Sequence, residues 1–317
     1  MRGLVVGKFA PLHLGHELVI RRALAECAEL VLISYCDPEP AGCAAERRSA
    51  WLVARFPQAR RIVGDPARWP EMPRDADGDA AQRAFVRKLL QGEGLGIDVV
   101  YTSEEYGAVL AQALGARHVL VDAGRHAVPI SGSQIRADVH AQRQWLAPEV
   151  YASFVRRVAV LGGESTGKTT LARMLAQMHG TLWAPEYGRE LWALKGGRLE
   201  FADHLHIART QVAREEEHAG RAMRVLFCDT TPLTTLFYSQ HCFGRSDQEL
   251  VRLAERRYDQ TILCAPDFPF VQDGTRLDPT LRERQHAWYL AELTRRGVPF
   301  ALACGPSSDR VLTPITR

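Results

Sequence analysis

Arg157-Val158-Ala159-Val160-Leu161-Gly162-Gly163-Glu164-Ser165-Thr166-Gly167-Lys168-Thr169-Thr170 is the stretch on which the fold turns. Its apolar start reads as a buried strand. Leu171, Leu175 and Met178 then recur at helical spacing. Between strand and helix lies the pattern GxxxxGKT. Its glycines let successive backbone N–H groups turn toward phosphate oxygens, and the helix N-terminus adds partial positive charge. Lys168 is placed to reach the β- and γ-phosphates of a nucleoside triphosphate such as ATP, and the Thr169 hydroxyl to ligate Mg²⁺. Without the flanking strand and helix the same residues would read as a glycine-rich turn.

Downstream, short apolar runs at 182–184, 225–228, 261–264 and 300–303 alternate with amphipathic stretches. Upstream the same alternation begins at Leu4-Val5-Val6 and continues through runs at 31–33, 61–63, 99–102 and 118–122. The first helix is expected over 17–27, with Leu18, Ala23, Leu24 and Cys27 as its core stripe. Strand, helix, strand in series predicts parallel sheets with helices on both faces. The chain of 317 residues suits two domains. The pattern restarts near residue 156, so the expected boundaries are 1–153 and 154–317. The expected class is α/β, two doubly wound parallel-sheet domains. The stretch 65–79, rich in Pro, Asp and Arg, reads as a long functional loop.

A hydrophobic fraction of 46% with 24% charged residues fits a well-packed, soluble chain. A net charge of +3 gives no support to a general nucleic-acid or membrane role. The cysteines at 27, 36, 43, 228, 242, 264 and 304 form no CxxC pair and no zinc spacing. They read as reduced, which suits the cytoplasm. Neither a signal peptide nor a membrane span is expected.

Two carboxylates fall where the topology would bring them to the phosphates. Glu186 follows the strand after the P-loop helix, in Glu186-Tyr187-Gly188-Arg189-Glu190, and Asp229 ends the run at 225–228. In such sheets the C-terminal strand ends face the ligand crevice. Glu186 reads as general base or ligand of the acceptor hydroxyl and Asp229 as holding Mg²⁺ or its waters, although the two roles are exchangeable. Asp273-Gly274-Thr275-Arg276 with Arg282 and Arg284 suits a lid over the transferring phosphoryl group, Arg276 being the favoured cation.

The first half has phosphate chemistry of its own. Its first strand ends in Gly7-Lys8-Phe9-Ala10-Pro11-Leu12-His13-Leu14-Gly15-His16. Gly15 permits close approach of a ligand at a helix N-terminus. The imidazoles of His13 and His16, with Lys8, are suited to stabilise charge on a pentacovalent α-phosphate and on departing pyrophosphate. Far downstream, in Ile130-Ser131-Gly132-Ser133-Gln134-Ile135-Arg136, Ser131 or Ser133 can cap a helix whose first turns carry Arg136.

The histidine and serine motifs together resemble the HxGH nucleotidyltransferase superfamily. Joined to the P-loop, Glu186-Tyr187-Gly188-Arg189-Glu190, Cys228-Asp229-Thr230-Thr231 and Asp273-Gly274-Thr275-Arg276, they resemble the NadR-type family over nearly the whole chain. That family fuses a nicotinamide-mononucleotide adenylyltransferase to a ribosylnicotinamide kinase. The resemblance implies a Rossmann-like HxGH domain followed by a P-loop kinase. It implies ATP binding in the first domain by Gly7, Phe9, Gly15, His13, His16, Ser131, Ser133 and Arg136, with Asp122 and Arg125 near the adenosine. In the second domain residues 162–170 would hold another ATP, and Glu186, Tyr187 and Arg189 would face nicotinamide riboside.

The implied function is a bifunctional transferase of NAD salvage. The expected small-molecule partners are ATP, nicotinamide riboside, nicotinamide mononucleotide and NAD⁺. Homo-oligomerisation is left open, and a riboside transporter as partner rests on the resemblance alone. Two departures accompany it. A strand starting at Leu4 leaves no room for the helix-turn-helix domain that some members carry. Where the family often has a tryptophan able to stack on the nicotinamide ring, this chain has Asp77-Gly78-Asp79-Ala80-Ala81-Gln82-Arg83-Ala84-Phe85, with Trp69 upstream either as a substitute or as a packing residue. The alternative reading therefore keeps the kinase and makes the first domain a module that senses NAD or ATP.

Overall fold

The computed structural model describes residues 1–67, 69–267 and 279–305. The chain divides into two compact units, Met1–Phe154 and Val155–Arg317. Each is built on one five-stranded sheet in which every pairing is parallel.

In the first unit the strands are β1 (Arg2–Gly7), β2 (Glu29–Ser34), β3 (Arg60–Val63), β4 (Val99–Thr102) and β5 (Arg117–Leu120). Their spatial order is β3-β2-β1-β4-β5. The helices are α1 (Leu14–Glu26), α2 (Ala45–Arg55), α3 (Gly78–Gly92), α4 (Tyr106–Leu114), α5 (Gly132–Ala137) and α6 (Pro148–Ala152). Central strands lie between two helical layers, so they read as continuous apolar runs rather than alternating ones. Leu4, Val31, Ile33 and Val100 pack on one side with Phe85, Val86 and Leu90 of α3 and Leu110 of α4.

Helix α1 departs from expectation. It starts at Leu14 because His13 caps it, and its buried stripe is Val19, Ile20 and Ala23 with Glu17. Leu18, Leu24 and Cys27 are only half-buried. Glu17 tolerates burial because Arg55 of α2 grips both its oxygens at 2.9 Å and Arg21 adds a third bond at 3.0 Å. Arg48 of α2 is likewise wholly buried, its guanidinium satisfied by Ser34, Glu39 and the carbonyls of Cys43 and Gly64.

In the second unit the strands are β6 (Arg156–Gly162), β7 (Leu182–Ala184), β8 (Val225–Asp229), β9 (Gln260–Cys264) and β10 (Ala301–Ala303), in the order β10-β9-β6-β8-β7. Helices α7 (Lys168–Met178), α8 (Tyr187–Leu194), α9 (Phe201–Ala219), α10 (Pro232–Phe243), α11 (Gln248–Leu253) and α12 (Pro279–Arg295) connect and cover them. Leu171, Ala172, Leu175 and Ala176 of α7 pack on Val158, Val160 and Phe227. Met178, expected in that stripe, is 60% exposed. Among the described residues no helix is long and apolar enough to cross a membrane.

In both sheets the first strand of the unit is central; the first chain half winds outward to either side, whereas in the second unit the chain passes from β6 to the edge strand β7 and returns inward to β8. That places a switch point at the C-terminal ends of β1 and β4, and another at those of β6 and β8, where such folds keep their ligand crevices.

Candidate active sites

The first cavity, of about 480 Å³, opens at the C-terminal ends of β1 and β4. Gly7, Lys8, Phe9, His16, Arg125, Ser131, Ser133 and Arg136 all line it. Two segments more than a hundred residues apart in sequence are tied here by Arg136, whose guanidinium donates to the Ala10 carbonyl at 2.8 Å and to Ser133 Oγ at 3.0 Å. Gly132 leaves room for this, since a Cβ there would stand 3.1 Å from Arg136 Nη1.

The two histidines are stacked, ring centres 3.7 Å apart. His13 Nδ1 accepts from the Gly15 amide at 3.1 Å, and His16 Nδ1 accepts from the His13 amide at 3.4 Å. With both Nδ1 atoms accepting, each neutral ring carries its proton on Nε2. Burial, reinforced by Arg125 and Arg136, lowers the His13 pKa to about 4. Burial first, then His13 and the same arginines, holds His16 well below the usual histidine range. The pair therefore presents two neutral N–H donors rather than imidazolium charge. Gly15 is required by packing, as a Cβ would sit 2.9 Å from the His13 ring. Phe9 holds φ of 47° while almost wholly buried, and its ring meets His16 edge-on at 5.1 Å.

Lys8 is paired with Asp75 at 2.6 Å. Ser131 caps α5 and also lines the cavity, its cap reinforced by Gln134. His13, Gly15, Asp122 and Arg125 line a smaller adjoining pocket of about 100 Å³. The Asp122 carboxylate is spent on the amides of His126, Ala127 and Val128, which organise its loop and hold its pKa down. Arg125 pairs with Glu104 at 3.1 Å. Trp69 does not line the cavity; it packs into the core beside Phe85, ring centres 6.0 Å apart. Gly64 makes room for this packing, since a Cβ there would stand 2.7 Å from Met72 Sδ and 3.2 Å from the Trp69 ring. Tyr35, Tyr106, Asp75 and Arg83 line the cavity and were not read from the sequence. Tyr106 opens the helix after β4, the strand beside the central β1, a place the topology marks in advance.

The second cavity, of about 330 Å³, lies in the kinase-like unit and is lined by Glu164, Lys168, Glu186, Gly188, Arg189 and Trp192, among others. The loop 162–167 wraps its own anion nest. Ser165 and Gly167 take φ of 57° and 78°, the left-handed turns that aim backbone amides inward. Gly162 and Gly163 are confined: a Cβ on the first would meet Thr166 Oγ1 at 2.6 Å, and on the second the Arg282 carbonyl oxygen at 2.7 Å. Thr166 Oγ1 and Lys168 Nζ both donate to the Gly163 carbonyl at 2.8 Å. Glu164 accepts from Tyr238 at 3.0 Å, and Thr170 is exposed on α7.

Thr169 Oγ1 donates to Asp229 Oδ2 at 2.6 Å. The other oxygen, Asp229 Oδ1, is buried without a hydrogen bond among the described residues. A buried hydroxyl–carboxylate pair with one open carboxylate oxygen fits a hard divalent cation that keeps water and phosphate ligands. Burial raises the Asp229 pKa, and Lys168 and Thr169 oppose that. Glu186, ahead of α8, is raised by burial and by Asp229, against Lys168 and Arg189. Arg189 stands 3.8 Å from it.

Tyr187 turns away from this cavity. Its hydroxyl meets His206 Nε2 at 3.0 Å and the Arg214 guanidinium lies over its ring at 5.1 Å. Trp192, His204, Gln211 and Tyr238 line the cavity instead, unread from the sequence. Arg276, with Asp273, Gly274 and Thr275, lies outside the described residues.

These two sheets, each with a phosphate-suited crevice at its switch point, define a two-domain α/β protein whose second domain has the P-loop kinase-type fold. An AAA-domain family model (AAA_28) matches residues 157–310. The Trifunctional NAD biosynthesis/regulator proteins NadR of Escherichia coli (strain K12) and Salmonella typhimurium (strain LT2) are each 33% identical, over 86% of this chain and 71% of theirs. A crystal structure of NadR protein in complex with NR has a TM-score of 0.61 at 20% identity, covering 96% of this chain and 90% of that one. Another, in complex with NAD and AMP-PNP, has a TM-score of 0.63 at 20% identity, covering 96% and 91%. The chain belongs to the NadR family.

Proposed function

We propose that the chain is a bifunctional enzyme of NAD salvage. The second unit phosphorylates nicotinamide riboside, and the first joins the product, nicotinamide mononucleotide, to an adenylyl group. The observation that carries the reading is the Thr169–Asp229 pair, with Lys168 and Glu186 lining a cavity sized for a nucleoside.

In the kinase step Glu186 takes the proton of the riboside 5′-hydroxyl as its oxygen attacks the γ-phosphorus. The bond from that phosphorus to the β–γ bridging oxygen breaks, and ADP leaves. Lys168 moves from the Gly163 carbonyl to the phosphates. Thr169 and Asp229 would hold Mg²⁺, which neutralises phosphate charge when bound. In the first unit a phosphate oxygen of the mononucleotide attacks the ATP α-phosphorus. The α–β bridge breaks, and pyrophosphate leaves with the electron pair. No proton need move. The His13 and His16 Nε2–H groups, Lys8 and Arg136 stabilise the charge, and the cavity aligns the reactants.

Packing of the partly buried Trp69 against the core, off the cavity wall, favours a second reading, in which the first unit senses NAD or ATP without turning over. Steady-state assays on the purified chain test both. Riboside-dependent ADP formation with Mg-ATP is expected, and its absence sinks the kinase. Pyrophosphate release that depends on His16 is expected too, and its absence leaves the sensor reading.

A further inference from the structure

Gln211 lies on α9 between Ile207 and Glu215, is 2% exposed, and lines the second cavity. Its carboxamide is held one way round. Oε1 accepts from the Tyr187 amide at 3.0 Å, and the opposite orientation would set an N–H against an N–H. Nε2 therefore has a fixed direction, and it is buried with no hydrogen-bond acceptor among the described residues. A buried amide donor left unsatisfied is costly and calls for an explanation. Here the donor belongs to a cavity wall, so the acceptor it lacks is one that a ligand brings.

The anchor fixes which part of a ligand that is. Tyr187 directly follows Glu186, so the Gln211 amide is tied beside the carboxylate that faces the acceptor hydroxyl. Another part of the wall is apolar: Trp192, Leu199, Ile207 and Phe243 offer surface suited to a flat ring. A molecule with its reacting hydroxyl at Glu186 and its ring on that surface places its sugar at Gln211.

We propose that Gln211 is a specificity-determining residue of the kinase site, its Nε2–H donating to a secondary hydroxyl oxygen of the ribose. This rests on the phosphoryl-transfer reading above. The site thereby selects ribosides over deoxyribosides, because a missing oxygen leaves the buried donor unsatisfied.

The test compares wild type with Gln211→Met on nicotinamide riboside and on its 2′-deoxy and 3′-deoxy forms. Fluorescent Mg-ADP binding serves as a readout of general disruption. For the riboside, Gln211→Met is expected to lower kcat/KM about tenfold, mostly through KM, with Mg-ADP affinity unchanged. With one of the two deoxy forms the same substitution should cost less than about twofold, the contact being already gone. Should the Met variant not fold, Gln211→Glu, which keeps an acceptor for the Tyr187 amide, takes its place. An equal loss on all three substrates, or none on any, overturns the inference while leaving the kinase standing. A wild-type protein inert toward the riboside itself overturns both.

Discussion

Asp229 has one oxygen bound to Thr169 and the other buried and, among the described residues, unsatisfied. Replacement by Asn keeps the first bond and removes the charge. Asp229→Asn is expected to lower kcat of the phosphoryl transfer by roughly 10²–10³-fold and to raise the Mg²⁺ concentration needed for half-maximal rate. Because the ionised Asp229 also pushes Glu186 upward, the acidic limb of the residual activity should move to lower pH, which a kcat–pH profile would reveal. The histidines carry the opposite kind of linkage. His13 binds its proton with a pKa of about 4 when folded and 6.5 otherwise. Protons thus favour the unfolded chain between those values, and its share of stability, present above pH 6.5, is lost as pH falls toward 4. The shift corresponds to about 3 kcal/mol. Melts of the first unit should show the midpoint falling over this range, with a shallower fall in His13→Asn. Reactive residue types in fixed spacing single out Lys168, Asp229, His13 and His16 in the sequence. Tyr187 and Trp69 do not line the cavities; a one-dimensional position does not say which way a ring points. Arg214 and His206 draw Tyr187 outward, and Phe85 and Met72 draw Trp69 into the core. Gln211 was invisible for the same reason, since only tertiary packing buries it.

At the scale of elements the strands were legible, because a strand covered on both faces must be apolar throughout. The start of α1 was not: its cap is a histidine, outside the usual Ser, Thr, Asp and Asn set. The loop from β6 to α7 was legible as a phosphate cradle, but its tight seating against α12 was not. A Cβ on Gly163 would stand 2.7 Å from the Arg282 carbonyl and 3.3 Å from its Cα, and neither backbone atom can yield without shifting α12. Gly163→Ala should therefore destabilise the second unit by about 1–3 kcal/mol and weaken Mg-ATP binding by more than tenfold. Denaturant melts and nucleotide titration measure the two effects. A fully stable variant with wild-type affinity would mean that the loop does not rest on that helix.

For the whole molecule, the point that matters is which unit lines each crevice. Among the described residues the first cavity is lined only by residues up to Arg136, and the second only by residues from Glu164 onward. The two proposed activities should then be separable by single substitutions. Lys168→Ala should abolish riboside phosphorylation and leave adenylyl transfer to the mononucleotide within about twofold of wild type. His16→Ala should do the reverse, costing adenylyl transfer roughly 10²-fold or more. A mixture of the two variants, given riboside and Mg-ATP, should again make NAD⁺, because free mononucleotide released by one protein is substrate for the other. Chromatography of the mononucleotide and dinucleotide products over time follows both steps. If Lys168→Ala also suppressed adenylyl transfer by tenfold or more, the sites would be energetically linked, and the reading of two self-sufficient crevices would fail.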